Sequence, residues 1–178
     1  ASSAGWWFGF GHAVAGLYWI AFAFTVDAPQ YGWMAPFALA GMAAGMALFP
    51  AAAALLSRLA FATGRLGPAG RVVVFGALWT AAEWARGGVL TGFPWNLMGT
   101  VWVVSDAMIQ LAAVTGVYGL SLLAVVTAGM PATLAETITP GGGCRRRWAP
   151  VIAAFSVLGV VWIGGQVRLG ASGNETVP

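Results

Sequence analysis

Residues 34–56 read MAPFALAGMAAGMALFPAAAALL and contain no charged side chain. An apolar run of about 20 residues is long enough to cross the roughly 30 Å hydrocarbon core of a bilayer as an α-helix. Its apolar residues do not alternate with polar ones, as they would in a strand of a transmembrane barrel. Since only helices and closed barrels satisfy their backbone hydrogen bonds in lipid, this run predicts a membrane-spanning helix.

Four further apolar runs flank this one, at about residues 5–26, 72–90, 108–134 and 148–167. Turn-forming and charged residues separate them. The sequence therefore predicts an all-α, polytopic transmembrane helix bundle with about five spans. Because the chain enters an apolar run at once and stops in a polar tail, we expect an incomplete part of a longer membrane protein.

Composition supports a membrane protein and argues against a soluble one. The chain is 60% hydrophobic and 7% charged, whereas a soluble domain carries about 25% charged residues. The net charge is +3, and every basic residue is an arginine. These arginines are divided among short segments without forming one basic face, so we expect no nucleic-acid partner.

The arginines instead indicate topology. Six of them fall in the loops between spans two and three and between spans four and five: Arg58, Arg65, Arg71, Arg145, Arg146 and Arg147. The loops on the other side have none, and the tail has only Arg168. The positive-inside rule therefore predicts that the arginine-rich loops are cytoplasmic and that the tail after residue 167 lies on the outer side.

Glu83 and Arg86 are the candidate polar site, because an ionisable group at membrane depth costs roughly 2.5–3.5 kcal/mol on insertion scales. Three residues apart on a helix, they share a face and can pair. One interpretation is a structural ion pair. The other is an outward-facing site in which Arg86 binds a lipid headgroup or a phosphate. The Gly92-Phe93-Pro94-Trp95 turn that follows predicts a position at the membrane–water boundary.

Several neighbouring residues complete the sequence-based hypothesis. Residues 91–106 are too apolar for an aqueous loop, so we expect them to lie in the membrane interface or on a partner domain. Trp19, in the outer half of span one, and Tyr118, on span four, are candidates for facing other helices of the bundle. The glycine pairs Gly5/Gly9 and Gly41/Gly45 predict close helix packing within the chain.

No arrangement of residues in the sequence is typical of a catalytic or metal centre. His12 is the single histidine, and we interpret it as a helix-packing hydrogen bonder rather than a proton relay. Cys144 has no histidine near it in the sequence and is not expected to be a nucleophile. We therefore expect no catalytic residue, no metal ion and no cofactor in this chain.

Three sequence blocks resemble the membrane domain of the apolipoprotein N-acyltransferase family. The first is Gly9–Ile20. The second joins Glu83–Gly87 to Thr91–Trp95, which read EWARG and TGFPW. The third joins Gln110–Ala112 to Gly116–Ser121. The order and spacing of the blocks fit the family, the TGFPW block is fairly specific, and the resemblance covers nearly the whole chain.

The resemblance implies an eight-helix bundle of the bacterial inner membrane, with a periplasmic nitrilase-like domain inserted before the last helix. Members of the family take an acyl chain from a phospholipid onto a cysteine and pass it to the N-terminal amine of a diacylglyceryl-cysteine lipoprotein. Their Glu-Lys-Cys catalytic set belongs to the nitrilase-like domain. That domain and the first two family helices are absent from this chain, which is therefore expected to be inactive alone.

What the chain is expected to contribute is a surface through which the phospholipid donor and the lipoprotein acceptor enter. The candidate residues for this surface are Glu83, Arg86, Trp95, Phe93, Tyr118 and Trp19. Two alternatives stay open at this point. A membrane partner of a polyprenol-phosphate mannosyltransferase would be followed by a cytoplasmic glycosyltransferase domain. A transporter or structural module would have inverted repeats or helices broken at mid-membrane.

Overall fold

A computed structural model describes residues 2–89, 92, 94–136 and 144–172. Every regular element in these ranges is a helix, which confirms the all-α prediction. The chain folds as two compact units. The first comprises residues 1–63 and 81–96, and the second comprises residues 64–80 and 97–178.

The first unit begins with α1 (Ser2–Leu17), which continues directly as a 3₁₀-helix (Tyr18–Thr25). The elements that follow are α2 (Ala28–Tyr31), a short 3₁₀-helix (Gly32–Met34), α3 (Ala35–Met46) and α4 (Leu48–Ala62). α3 and α4 meet at Ala47. Pro50 accounts for this interruption, because proline lacks an N–H and its ring clashes with the carbonyl four residues earlier.

Two glycines allow α1 to pack closely on α4. A Cβ atom added to Gly5 would lie 2.7 Å from Ala54 Cβ, and one added to Gly9 would lie 2.8 Å from Pro50 Cγ. The predicted close packing within the chain is thus confirmed for this pair. It is wrong for Gly41 and Gly45, where an added Cβ would meet nothing within 4 Å.

The second unit begins with the N-terminal part of α5 (Pro68–Gly88), whose last turns belong to the first unit. It continues with a 3₁₀-helix (Met98–Val104), α6 (Asp106–Ile109) and α7 (Ala112–Gly129). The remaining elements are a 3₁₀-helix (Met130–Ala132), α8 (Thr133–Glu136) and α9 (Cys144–Ser172). One cluster of its buried core consists of Met130, Val151 and Ala154.

The predicted fourth span, residues 108–134, is not one continuous helix. α6 ends at Ile109, and α7 contains a non-helical residue at Gly116, where φ is 67° and ψ is 179°. Only glycine adopts this backbone conformation readily. Apolar composition gave no sign of the break, because periodicity reports which residues are apolar and not the φ angle of a single glycine.

Four helical stretches are long and apolar enough to cross a membrane within the described ranges: Ser2–Thr25, Ala28–Ala62, Ala112–Ala135 and Trp148–Ala171. This is one fewer than the five predicted. The predicted span at 72–90 falls on α5, whose 21 residues extend about 31 Å. It also carries Arg71, Glu83 and Arg86, and this charge content separates it from the other four.

We predict that Gly9→Leu destabilises the first unit, because the new side chain would overlap Pro50 on α4. Overpacking of this kind costs about 1–3 kcal/mol. Gly11→Leu is the matched control, since a Cβ added there would meet nothing within 4 Å. Unfolding by a denaturing detergent should shift for Gly9→Leu alone, and equal shifts for both variants would contradict the close packing of α1 on α4.

We also predict that Gly116→Ala destabilises the second unit, because alanine must adopt a glycine-only conformation at the break in α7. The expected cost is about 1–3 kcal/mol. Gly159→Ala in α9 serves as the control, because an added Cβ meets no neighbour there. Thermal unfolding in mild detergent measures the difference; an unchanged Gly116→Ala midpoint would argue against the break.

Candidate functional site

Glu83 and Arg86 lie in the last turns of α5, in the part of the helix that belongs to the first unit. Glu83 is buried, with 5% of its surface exposed, and Arg86 is half-buried. Trp84, between them, is 68% exposed. Both ionisable side chains interact with other groups of the protein. The Glu83 carboxylate is thus covered by other parts of the protein.

Beyond α5, Gly92 allows the chain to turn back on the helix end. Its φ is 74°, and a Cβ there would collide with the Gly87 carbonyl. Its N–H donates to the Val89 carbonyl at 3.0 Å. Phe93, a predicted site residue, lies outside the described residues. The chain then continues through Pro94–Asn96, a segment without regular secondary structure.

Asn96 and His12 hold this segment on α1 through two reciprocal hydrogen bonds, which we call the clasp. The Asn96 side-chain Nδ2 donates to the His12 carbonyl at 3.0 Å. The His12 Nε2–H donates to the Asn96 carbonyl at 3.2 Å. Each side chain therefore satisfies the other residue's backbone carbonyl. The prediction that His12 is a hydrogen bonder is confirmed, although its partner is the irregular Pro94–Asn96 segment and not another helix.

Two backbone features make the clasp possible. Asn96 has φ of 55°, a left-handed conformation that asparagine tolerates better than most residues. Opposite it, Gly16 leaves the space that the Asn96 side chain fills, since a Cβ on Gly16 would collide with the Asn96 amide. A glycine on α1 and an asparagine in the segment are thus matched across 80 positions of sequence.

The clasp is accompanied by contact between two predicted site residues. The rings of Trp19 and Trp95 lie 5.5 Å apart between centroids, tilted by 49°. Both side chains remain largely accessible on the surface of the chain, with 44% of Trp19 and 55% of Trp95 exposed. The Trp19 ring therefore contacts the irregular Pro94–Asn96 segment rather than another helix, and much of its side chain stays exposed.

Residues 98–104, in the second unit, pack on α7 in a comparable way. The Gly99 N–H donates to Ser121 Oγ at 2.8 Å, and Trp102 Nε1–H donates to the Leu120 carbonyl at 3.1 Å. A Cβ on Gly99 would lie 2.5 Å from the Val117 carbonyl oxygen. This contact accounts for part of the apolar character of residues 91–106, whereas Val101, Val103 and Val104 stay exposed on the chain.

The predicted site residues are therefore distributed over both units. Glu83, Arg86, Trp19 and Trp95 belong to the first, and half-buried Tyr118 belongs to the second. Within the first, the structure brings Trp19 and Trp95 together. No local pattern in the sequence connects Asn96 with His12. Two residues in the sequence could have indicated the contact: Asn96, directly after Pro94-Trp95, and Gly16, one helical turn beyond His12.

The described residues contain no group of three or more His, Cys, Asp or Glu side chains that could hold a metal ion. Their polar groups instead serve packing, as the clasp and the Gly99–Ser121 hydrogen bond illustrate. What this arrangement offers chemically is a buried carboxylate, a half-buried guanidinium and an accessible tryptophan pair. A guanidinium can donate two hydrogen bonds to one anionic group, and tryptophan rings offer apolar surface.

Comparison with known proteins agrees with the three sequence blocks. The family model for the apolipoprotein N-acyltransferase N-terminal domain matches residues 1–130. The apolipoprotein N-acyltransferase of Rhodopseudomonas palustris is 41% identical over 177 residues, which are 99% of this chain and 32% of that protein. The enzyme of Caulobacter vibrioides is 45% identical over 176 residues, 97% of this chain and 31% of that protein.

The apolipoprotein N-acyltransferase of Brucella melitensis is 41% identical over 164 residues, 92% of this chain and 29% of that protein. The chain thus spans about a third of the length of the curated relatives it matches. The family model covers well over half of the chain, and the identity extends from α1 into α9. This chain belongs to the apolipoprotein N-acyltransferase family and carries its N-terminal domain.

Proposed function

We propose that this chain is the membrane portion of an apolipoprotein N-acyltransferase. The complete enzyme would transfer an acyl chain from a phospholipid to the N-terminal amine of a diacylglyceryl-cysteine lipoprotein. The observation that carries the proposal is the clasp. It joins His12, in the first sequence block, to Asn96, directly after the TGFPW block. Two blocks that carry the family resemblance therefore meet in one structural feature.

The chemistry of this reaction requires different tasks of the catalytic part and the membrane part of the enzyme. An amine attacks the carbonyl carbon of an acyl thioester; the N–C bond forms, the C–S bond breaks, and the amine gives a proton to a base. Nucleophile, base and oxyanion donors must be within hydrogen-bonding reach of one another. We assign them to a nitrilase-like domain outside these 178 residues, and expect the chain alone to transfer no acyl group.

The membrane portion would bind and orient the two lipid substrates. Arg86 can offer a planar, bidentate donor to a phosphate group, and Trp19 and Trp95 offer apolar surface to acyl chains. Glu83, Phe93 and Tyr118 complete the proposed lipid-entry surface. Positioning of substrates is a substantial part of catalysis. It replaces the chance encounter of two molecules diffusing in the membrane with a reaction inside one complex.

The alternatives receive less support. The matching family model and the three relatives are all named as apolipoprotein N-acyltransferases. None of the four is named as a mannosyltransferase partner or a transporter. The break at Gly116 lies four residues into the stretch Ala112–Ala135, near its end rather than its middle. It is therefore not the mid-membrane interruption typical of transporters.

We further propose an inner-membrane location with both arginine-rich loops in the cytoplasm and the tail after residue 167 in the periplasm. This topology requires α5 to cross the bilayer. Without that crossing, a single span would separate the two arginine-rich loops and leave them on opposite sides. The length of α5, about 31 Å, is sufficient for a crossing.

Fusion to alkaline phosphatase, which is active only outside the cytoplasm, tests this topology. We expect high activity for a fusion after Gln30, low activity after Arg65 and high activity again after Ser105. The third fusion isolates α5, because Ser105 lies beyond it. Low activity after Ser105 would mean that α5 does not cross, and would overturn the predicted position of the tail.

The lipid-entry surface is tested by Arg86→Ala in the complete enzyme. We expect impaired acyl transfer with unchanged membrane insertion, because removal of the guanidinium leaves the helix intact while it removes a phosphate ligand. Arg58→Ala, at an exposed position of α4, is the control. Activity is measured by complementation and by transfer of a labelled acyl chain; wild-type activity of Arg86→Ala would exclude the assigned role.

A further inference from the structure

The buried residues of α9 form two groups that lie far apart along the helix. Between residues 148 and 171, the buried positions are Val151, Ala154 and Gly165. Val151 and Ala154 pack on Met130 in one cluster. Gly165 lies about 16 Å further along the helix axis, at 1.5 Å per residue. The contact at Gly165 is therefore the one closer to the C-terminal end of α9.

At Gly165 the backbone of α6 lies directly against α9. A Cβ atom added to Gly165 would collide with the carbonyl oxygen of Ala107 and would lie 2.6 Å from its carbonyl carbon. Ala107 and its neighbour Met108 are both buried. The Cα–H bond that replaces the side chain of Gly165 points toward the Ala107 carbonyl, a contact that recurs where helices approach most closely. No residue with a side chain fits at this position without movement of α6 or α9.

Residues 98–109, which we call the bracket, connect this contact to α7. The 3₁₀-helix of the bracket is bound to α7 by the two hydrogen bonds described above. Ser105 joins this 3₁₀-helix to α6, because its N–H donates to the Trp102 carbonyl at 3.0 Å and its carbonyl accepts the Met108 N–H at 3.0 Å. The bracket is therefore bound to α7 at one end and packs on α9 at the other.

From these contacts we propose that Ala107 and Gly165 are positioning residues, and that the bracket sets the direction in which α9 ends. The inference rests on the function proposed above, in which a catalytic domain follows α9. Because α9 continues as a helix from Gly165 to Ser172, no irregular segment separates the contact from the end of the helix. The bracket thereby determines how the catalytic domain faces the membrane.

This orientation matters for a substrate held in the bilayer. The catalytic cysteine must reach the ester of a phospholipid at the membrane surface, and a misplacement of about 1 Å can cost roughly 100-fold in rate. A water-soluble ester reaches the same cysteine from solution in any orientation of the domain. Comparison of the two substrates therefore separates loss of positioning from loss of the catalytic centre.

Gly165→Ala in the complete enzyme tests the contact, since the added methyl group must displace α9 or the bracket. Gly164→Ala is the matched control. It is the neighbouring glycine of the same helix, an added Cβ meets nothing within 4 Å there, and both variants gain the same helix propensity.

Two activities are measured for each variant. Release of lysophospholipid from phosphatidylethanolamine proteoliposomes should be at least about tenfold slower for Gly165→Ala than for Gly164→Ala. The burst of nitrophenolate from p-nitrophenyl butyrate should be equal for both. In that burst the cysteine sulfur bonds to the acyl carbon, the ester C–O bond breaks, and the thiol proton passes to a base.

Equal release of lysophospholipid by the two variants would overturn the positioning role. An equal fall of both activities in Gly165→Ala would also overturn it, because general damage and not misorientation would then explain the loss. If Gly165→Ala does not fold, Ser121→Ala tests the other end of the bracket, with the exposed Ser156→Ala as its control. Ser121→Ala should show the same selective loss of lysophospholipid release, and its absence would overturn the proposal.

Failure of the proposed function gives a different result. A parent enzyme that releases neither lysophospholipid nor nitrophenolate would contradict the proposed function alone. The contact is then tested by thermal unfolding, in which Gly165→Ala should have a lower midpoint than Gly164→Ala. Equal midpoints would contradict the close approach of α6 to α9.

Discussion

Hydrogen bonding of backbone groups outside the helices is the constraint on which the rest of this structure depends. In hydrocarbon there is no water to satisfy a free N–H or C=O, and each one left unsatisfied costs several kcal/mol. The chain meets this constraint with single polar side chains. His12 Nε2–H donates to the Asn96 carbonyl in the first unit, and Ser121 accepts the Gly99 N–H, in the first turn of a 3₁₀-helix, in the second. Non-helical segments can therefore pack among apolar helices.

Glycine determines where these segments and helices can approach one another. At Gly5 and Gly9 the absence of a side chain allows contact with α4, and at Gly16 it makes room for the Asn96 amide. The absence of a side chain at Gly99 likewise allows the 3₁₀-helix at residues 98–104 to approach α7 next to Ser121. The approaches at Gly16 and Gly99 are accompanied by hydrogen bonds, and the one at Gly5 meets a small side chain, Ala54. Helix association in lipid depends on such fits, because apolar surface alone gives no preference for protein over lipid.

The candidate site illustrates how far sequence reasoning reaches. The cost of charge at membrane depth drew attention to Glu83 and Arg86, and the turn residues drew attention to Trp95. The structure adds that Glu83 is buried and that Trp95 contacts Trp19. It also assigns Tyr118 to a different unit from the other described candidates. The chemistry of individual side chains was enough to select the candidate residues. Which of them lie together depends on contacts between segments that are distant in the sequence, and no local pattern records such contacts.

By itself the sequence determined the helical class, the membrane environment and the family, since these follow from composition, the length of apolar runs and three motif blocks. Only the tertiary structure decided which glycine pair lies at a helix contact and that α7 breaks at Gly116. It alone joined His12 to Asn96. The reason is physical: hydrophobicity is a property of each residue and its near neighbours, whereas a close approach or a reciprocal hydrogen bond exists only between surfaces that folding brings together.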